Sequence, residues 1–153
     1  MFVLLFLHIT TMIGAIIVSF GSGLVMALAR RTGQVSAVRG VAAATQPVGR
    51  AIPILYVAGG LLGLLTAIAF GYNLLAPWLV IAYLGWLVLM AVGVAVNRTF
   101  AISLDVLLQR TPDGPLSSEI AQLFLEPRVR AATVIDYVVL VAILFDMVVK
   151  PFS

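Results

Sequence analysis

Long uninterrupted stretches of apolar residues alternate with short polar connections along this 153-residue chain. The four stretches cover about residues 1–29, 51–72, 78–96 and 131–149. A helix needs about 20 mostly apolar residues to cross the hydrocarbon core of a bilayer, and each stretch reaches about that length. Because lipid offers no hydrogen-bond partners to the backbone, these runs are expected to be helices rather than open strands. The pattern predicts a single all-α domain, a bundle of four transmembrane helices.

Composition supports the membrane class and excludes several others. Apolar residues make up 63% of the chain and charged residues 10%, against about 45–50% and about 25% in soluble domains. The lipid bilayer is therefore the first partner expected. The first run is longer than the apolar core of a signal peptide, about 7–15 residues, so we expect it to remain as a spanning helix. The net charge of +3 comes with no basic stripe, so no nucleic-acid binding is predicted.

The positive charges predict how the bundle is oriented. The first connection carries Arg30, Arg31, Arg39 and Arg50 without any acid, the second carries no charge, and the third carries four more arginines mixed with acids. The positive-inside rule places the first and third connections in the cytoplasm and both termini outside. Aromatic residues then gather near the outer face, as an interfacial belt requires: Phe2, Phe6, Phe70, Tyr72, Trp78, Phe145 and Phe152.

The two cytoplasmic connections are predicted to contain short amphipathic helices at the membrane surface. In the first, apolar residues recur at helical spacing between Gly33, which can end the first helix, and Pro47, which can begin the second. The third spanning helix is expected to run on through "RTFAISLDVLLQR" to a turn at "TPDGP". Ser117 or Ser118 can then cap an amphipathic segment that leads into the last span.

Small residues recur at every fourth position in the first two runs and predict helix–helix seams. Such residues let two backbones approach closely inside a membrane. Both stripes are interpreted as internal seams; the alternative is that one of them binds another membrane subunit or a second copy of this chain. The stripes are Ala15, Ser19, Gly23 and Ala27 in the first run and Gly59, Gly63, Ala67 and Gly71 in the second.

Ionisable side chains inside spans are costly to bury, so they mark candidate sites. Asp136 lies near the cytoplasmic end of the fourth run, at the predicted depth of Arg50 and Arg98. The depth predicts a structural ion pair between this carboxylate and one of the two arginines. A proton relay would use the same residue and is the alternative.

Asp146 stands near the outer end of the fourth run, four residues before Lys150. Acid before base at this spacing is the favourable order for a helical ion pair, and Pro151 can then stop the helix. The arrangement predicts an anchor for the last span at the outer surface. If Asp146 faces the interior instead, its predicted partner is His8, which lies at a similar depth and whose imidazole it would orient.

His8 is the one histidine of the chain and its main candidate ligand. Met12 follows one helical turn later on the same face, and Met147 is expected in the same outer layer. Imidazole together with thioether suits copper or haem iron, whereas the structural alternative is a hydrogen-bonded interface histidine beside methionines that fill gaps. The chain has no cysteine and no evident pair of facing carboxylates, so no enzyme activity is predicted.

Both ends of the chain resemble a known group of proteins. The opening "LLFLHITTMIGAIIVSFGSGLVMALARR" and the closing "FDMVVKPF" resemble the domain-of-unknown-function 2269 family of small four-span bacterial membrane proteins. More distantly, the plan is similar to that of the copper resistance protein D family and of the membrane protoporphyrinogen oxidase that binds haem, in which a first-span histidine maps to His8. The resemblance implies the four-span fold, a bacterial inner-membrane location, and haem or copper as the cofactor to consider.

Three functions are compatible with these features. The first is a non-enzymatic integral membrane protein, an accessory subunit of a larger complex, and it rests on the scarcity of reactive residues and the abundance of small-residue stripes. The second is a haem- or copper-binding protein that uses His8. The third is a small transporter, which would need to oligomerise because four spans are few for a pathway. The sequence also shows no proline that would break a span at mid-depth, as transporters often have.

Overall fold

The computed structural model describes residues 1–150, which form six α-helices. Their bounds are α1 Phe2–Arg31, α2 Val35–Ala69, α3 Pro77–Val92, α4 Arg98–Arg110, α5 Ser118–Leu125 and α6 Pro127–Val149. A π-helical turn, Gly93–Asn97, joins α3 to α4, so the two make one continuous rod from Pro77 to Arg110. Pro151 and Phe152, to which the sequence assigned a helix stop and a place in the aromatic belt, lie outside the described residues.

Four rods in this range are long and apolar enough to cross a membrane: α1, α2, α3–α4 and α6. The prediction of an all-α membrane protein with four spans is therefore confirmed. The β structure of residues 1–150 is limited to one isolated bridge between Gln34 and Pro115.

α2 differs from its prediction, because it begins at Val35 rather than near residue 51. Pro47 and Pro53 both lie inside this helix. Each proline removes one backbone donor and would be expected to break the helix. Val35 and Val38 are fully buried against α4 and α5, and this packing fixes the turns that precede Pro47. The separate amphipathic helix predicted in the first connection is thus wrong, since the same residues form the first third of α2.

The helices associate as two antiparallel pairs, α1 with α2 and α3 with α6. The rings of Phe2 and Phe70 meet at one end of the first pair, with centroids 5.8 Å apart. At the same end Lys150 lies over the ring of Trp78. We call this the terminal end of the bundle. The opposite end holds the α1–α2 and α4–α5 connections, and we call it the arginine end.

Three clusters of buried side chains follow one another along the bundle. The central cluster takes one residue from each rod: Ala15, Tyr56, Leu89 and Leu140. The cluster at the terminal end is small, whereas the one at the arginine end joins α1, α2, α4 and α5. α2 has 35 residues and is therefore about 52 Å long, longer than the hydrocarbon core of about 30 Å. The cluster at the arginine end thus packs helices that continue past the hydrocarbon.

The two connections at the arginine end are tied to each other. Gly33 adopts a positive φ of 68° just after α1, as expected for a residue that ends a helix. The backbone N–H of Val35 donates to the carbonyl oxygen of Gly114 at 2.9 Å. Ser117 caps α5 by accepting from the backbone N–H of Ile120, which confirms the predicted cap.

Candidate functional site

His8 lies in the second turn of α1, and its ring packs against α2. The Nδ1 atom lies 2.8 Å from the carbonyl oxygen of Gly59. A carbonyl oxygen can only accept, so Nδ1 carries a proton, and in the neutral ring the lone pair is then on Nε2. Gly63 makes room for the ring, because a Cβ built there would stand 2.8 Å from the Cε1 atom of His8. Two glycines of α2 thus form a niche that holds the imidazole in one tautomer.

Met12 fills the next position along the same seam. Its side chain lies where a Cβ of Gly59 would stand, and it packs against the central cluster. Met147 belongs to a different group, the cluster at the terminal end that contains Trp78 and Leu79. The structure therefore brings Met12 and His8 to one seam and places Met147 in the packing between other helices.

The predicted stripe of α1 faces neighbouring helices only in part. Ala15 is fully buried in the central cluster, and the hydroxyl of Ser19 is buried without a hydrogen-bond partner among residues 1–150. Gly23 and Ala27 are exposed. A Cβ at Gly23 would stand 3.7 Å from the hydroxyl of Tyr137, so this position faces α6 rather than α2. The stripe therefore packs closely against other helices only in its first half, as the exposure of Gly23 and Ala27 shows.

The stripe of α2 ends at Ala67, four residues earlier than predicted. Gly59 and Ala67 are buried and Gly63 is half-buried. Gly71 is exposed beyond the end of the helix with a φ of 71°, a left-handed conformation that favours glycine. Its role is to turn the chain after α2, which corrects its assignment to helix packing.

Sequence reasoning missed a contact between α2 and α3. The indole of Trp86 lies where a Cβ of Gly60 would stand, 2.6 Å from the Cε2 atom. Its Nε1–H donates to the carbonyl oxygen of Tyr56 at 2.9 Å. The adjacent glycines at residues 59 and 60 were a signal for this arrangement, since the two face different neighbours. One glycine of the pair receives Met12 from α1, and the other receives Trp86 from α3.

Asp146 is the most enclosed charged side chain of the bundle, with 3% of its surface exposed. Neither carboxylate oxygen has a hydrogen-bond partner among residues 1–150. The hydrogen bond to His8, predicted for an inward-facing Asp146, is absent, and the His8 ring bonds to the carbonyl oxygen of Gly59 instead. Two contacts between α6 and α3 bracket Asp146 along the chain: Ile143 lies opposite Gly85, and Lys150 lies opposite Trp78. From this pairing we infer that Asp146 faces α3.

Lys150 does not pair with Asp146 either. Its ammonium lies 5.0 Å from the ring centre of Tyr72 and 5.1 Å from that of Trp78. Its Nζ atom donates to the hydroxyl of Tyr72 at 3.4 Å. Lys150 has a φ of 46° just past the end of α6, so it does not continue the helix to which Asp146 belongs. The lysine therefore anchors α6 through aromatic rings rather than through an ion pair.

Asp136 accepts a hydrogen bond from the Nδ2 atom of Asn97 at 2.8 Å. The predicted ion pair with Arg50 or Arg98 does not form, and both arginines are exposed. Asn97 ends the π-helical turn between α3 and α4, and this turn brings its amide to α6. The ion pairs found in residues 1–150 lie elsewhere, one within the arginine end and one at the start of α6: Arg39–Asp113 and Arg128–Glu126.

The group of this arrangement that could bind a metal is one imidazole, through Nε2 of the neutral ring. No group of three histidine, aspartate or glutamate side chains comes together within the described part of the chain. Comparison of the sequence and structure with protein-family models, with curated proteins and with solved structures finds no match. The family resemblance of the two chain ends therefore stays a prediction.

Proposed function

We propose that the protein is a non-enzymatic accessory subunit of a larger membrane complex and that the outward face of α1 binds its partner. The supporting observation is a pair of open glycines. Gly14 and Gly21 lie seven residues apart on one face of α1, and nothing lies within 4 Å of where their Cβ atoms would stand. Side chains from neighbouring helices fill the glycines of the internal seams instead: Gly59, Gly60, Gly63 and Gly85.

An open glycine face needs a physical reason in a membrane helix. Glycine inside a helix is less stable than alanine by about 0.5–1 kcal/mol. Each glycine leaves a notch in the surface of α1. Lipid tails gain no stabilising contact from this notch, whereas a second helix can approach the backbone of α1 closely there. Large apolar side chains flank the notch, with Ile17 65% exposed and Leu24 62% exposed. This face therefore has the composition of a helix-docking surface.

The proposal includes an orientation in a bacterial inner membrane, with the arginine end in the cytoplasm and both termini outside. The positive-inside rule supports it, because the arginines cluster in the first and third connections. The chain has no cysteine, so single-cysteine labelling can test the orientation directly. Asn73→Cys should react with an impermeant maleimide added outside, whereas Glu119→Cys should react only after the membrane is opened. The reverse pattern would overturn the orientation.

Native mass spectrometry after extraction in mild detergent tests the assembly. We expect the chain to leave the membrane with another subunit. Gly14→Leu and Gly21→Leu should each remove that subunit without lowering the unfolding temperature of the isolated chain. Gly49→Leu is the matched control, because its position is also open but lies on α2. A strictly lone monomer in the wild-type extract would contradict the proposal.

A second candidate function, haem or copper binding at His8, is favoured by the bond between Nδ1 and Gly59. Ligand histidines commonly donate their second N–H to a backbone carbonyl, which fixes the tautomer and leaves the other nitrogen to the metal. His8 would supply that nitrogen, and Met12 on the same seam has a thioether that suits the same ions. The bound group would supply redox chemistry that the side chains of this chain lack.

An absorption spectrum and a metal analysis of the purified protein decide this candidate. A Soret band or bound copper should be lost in His8→Ala and retained in Met147→Leu, since Met147 packs in the cluster at the terminal end. A wild-type protein with neither a Soret band nor bound metal would exclude the candidate. That result would leave the subunit proposal intact.

A further inference from the structure

An open apolar groove lies between the last turns of α1 and the first turns of α2. Its volume is about 470 Å³, within the range of about 300–1,000 Å³ typical of small-molecule sites. Val25, Leu28 and Thr32 line it from α1, and Ser36 and Gly40 line it from α2. Nothing lies within 4 Å of where a Cβ of Gly40 would stand, so this glycine keeps the groove open.

The depth of the groove sets it at the membrane boundary. α1 has 30 residues and is therefore about 45 Å long. The hydrocarbon core is about 30 Å thick, and the bilayer with its headgroups is about 40–45 Å thick. A helix of this length spans the bilayer with both headgroup layers, so if Phe2 lies in one headgroup layer, α1 leaves the hydrocarbon near Val25 and Thr32 lies in the opposite headgroup layer. The groove thus runs from the ends of the acyl region into the headgroups.

A positive charge directly beside a residue that lines the groove favours an anion. Arg31 directly precedes Thr32, is exposed, and forms no ion pair with the residues that the structure describes. The neighbouring arginines are occupied: the guanidinium of Arg30 lies 4.2 Å from the ring centre of Phe124, and Arg39 pairs with Asp113 on the opposite face of α2. The α1–α2 connection carries no acid that could compensate Arg31.

We propose that this groove binds one acidic phospholipid. One acyl chain lies along Val25 and Leu28, and the phosphate group meets Arg31 beside the hydroxyl of Ser36. An arginine can hold a phosphate through two parallel hydrogen bonds, and basic sites between helices at the headgroup level suit anionic lipids. The apolar groove and the uncompensated Arg31 beside it together select a ligand with both an acyl chain and a negative headgroup.

Native mass spectrometry with added lipids tests the proposal. The purified chain should bind one phosphatidylglycerol in preference to a phosphatidylcholine with the same acyl chains, and phosphatidylglycerol should raise its unfolding temperature. Inorganic phosphate alone should have no such effect. Arg31→Gln should weaken phosphatidylglycerol binding about tenfold, the loss of one hydrogen-bonded charge. Gly40→Leu should block the groove. Arg110→Gln is the matched control, because that arginine is exposed at the same end but belongs to α4, whereas Arg31 directly precedes the groove residue Thr32.

Three results would overturn the proposal. The first is equal binding of phosphatidylglycerol and phosphatidylcholine. The second is an equal effect of Arg31→Gln and Arg110→Gln on lipid binding. The third is a dimer that Gly40→Leu dissociates, because a second copy of the chain would then occupy the groove. Stabilisation by inorganic phosphate equal to that by the lipid would count against the acyl part of the site.

Discussion

The imidazole of His8 and the carbonyl oxygen of Gly59 are joined by a hydrogen bond of 2.8 Å across the interface of α1 and α2. A carbonyl oxygen has two lone pairs, so it can accept this bond in addition to a helical one. Hydrogen bonds between membrane helices contribute about 0.6 kcal/mol on average. The bond therefore fixes the rotation of the ring more than it stabilises the bundle, and the room for it depends on Gly63.

Gly63→Ala should destabilise the isolated protein. The new Cβ would stand 2.8 Å from the Cε1 atom of His8, and such overpacking costs about 1–3 kcal/mol. Gly21→Ala is the control, because its Cβ meets nothing within 4 Å and alanine favours the helix by about 0.5–1 kcal/mol. The unfolding temperature in detergent should therefore fall in Gly63→Ala and rise in Gly21→Ala. A shift in the same direction for both variants would contradict the seam.

Asp146→Asn should leave the free energy of unfolding equal to that of the wild type or higher. The carboxylate of Asp146 is buried without a partner among residues 1–150, so the variant loses no bond. Breaking a buried ion pair would instead cost about 3–5 kcal/mol. Any absorption or metal binding that depends on His8 should also be unchanged. A lower free energy of unfolding, or a loss of His8-dependent absorption or metal binding, would show that Asp146 has a partner in the membrane.

Arg39→Gln should loosen the α4–α5 connection. The Arg39 guanidinium donates to the carbonyl oxygens of Leu108 and Thr111 and pairs with Asp113. The ion pair is exposed, with 38% and 67% of the two side chains accessible, so Asp113→Asn should cost at most about 1 kcal/mol. Hydrogen exchange of residues 111–117 should therefore rise much more in Arg39→Gln. Equal exchange in the two variants would argue against the carbonyl contacts.

Trp86→Phe should weaken the contact between α2 and α3. The variant removes the indole N–H that donates to the carbonyl oxygen of Tyr56, which is a loss of about 0.5–1.5 kcal/mol. Gly60→Ala should have a similar effect by another route, because its Cβ would stand 2.6 Å from the same indole. Thermal unfolding measures both. Unchanged stability in both variants would mean that this tryptophan is not part of the packing.

Hydropathy predicted the four spans because the bilayer selects each of them by length and apolarity alone. It failed at the start of α2, where Pro47 is a local signal for a new helix. The burial of Val35 and Val38 against α4 and α5 is a tertiary contact that no local pattern contains. Because of that contact, the residues before Pro47 belong to α2 instead of forming a separate helix.

His8 stood out in the sequence because it is the one histidine, but its partner could not be deduced. Depth along a helix predicts the layer of a residue and leaves open the direction in which it points around the bundle. Asp146 shares the approximate depth of His8, yet its side chain lies between α6 and α3. The partner of the imidazole is a backbone carbonyl, to which a sequence gives no signal other than the glycines beside it.

The two helix pairs have different consequences for biogenesis. α1 and α2 are consecutive in the chain, so the seam between them at Gly59 and Gly63 can form as soon as Phe70 has been synthesised. α3 packs against α6, which follows only after α4 and α5, and pairing of distant segments is slower than local pairing. During synthesis the α1–α2 seam can therefore form while α3 still lacks its partner α6. The open glycine face of α1 is already in place at that stage, so a partner subunit can bind before the bundle is complete.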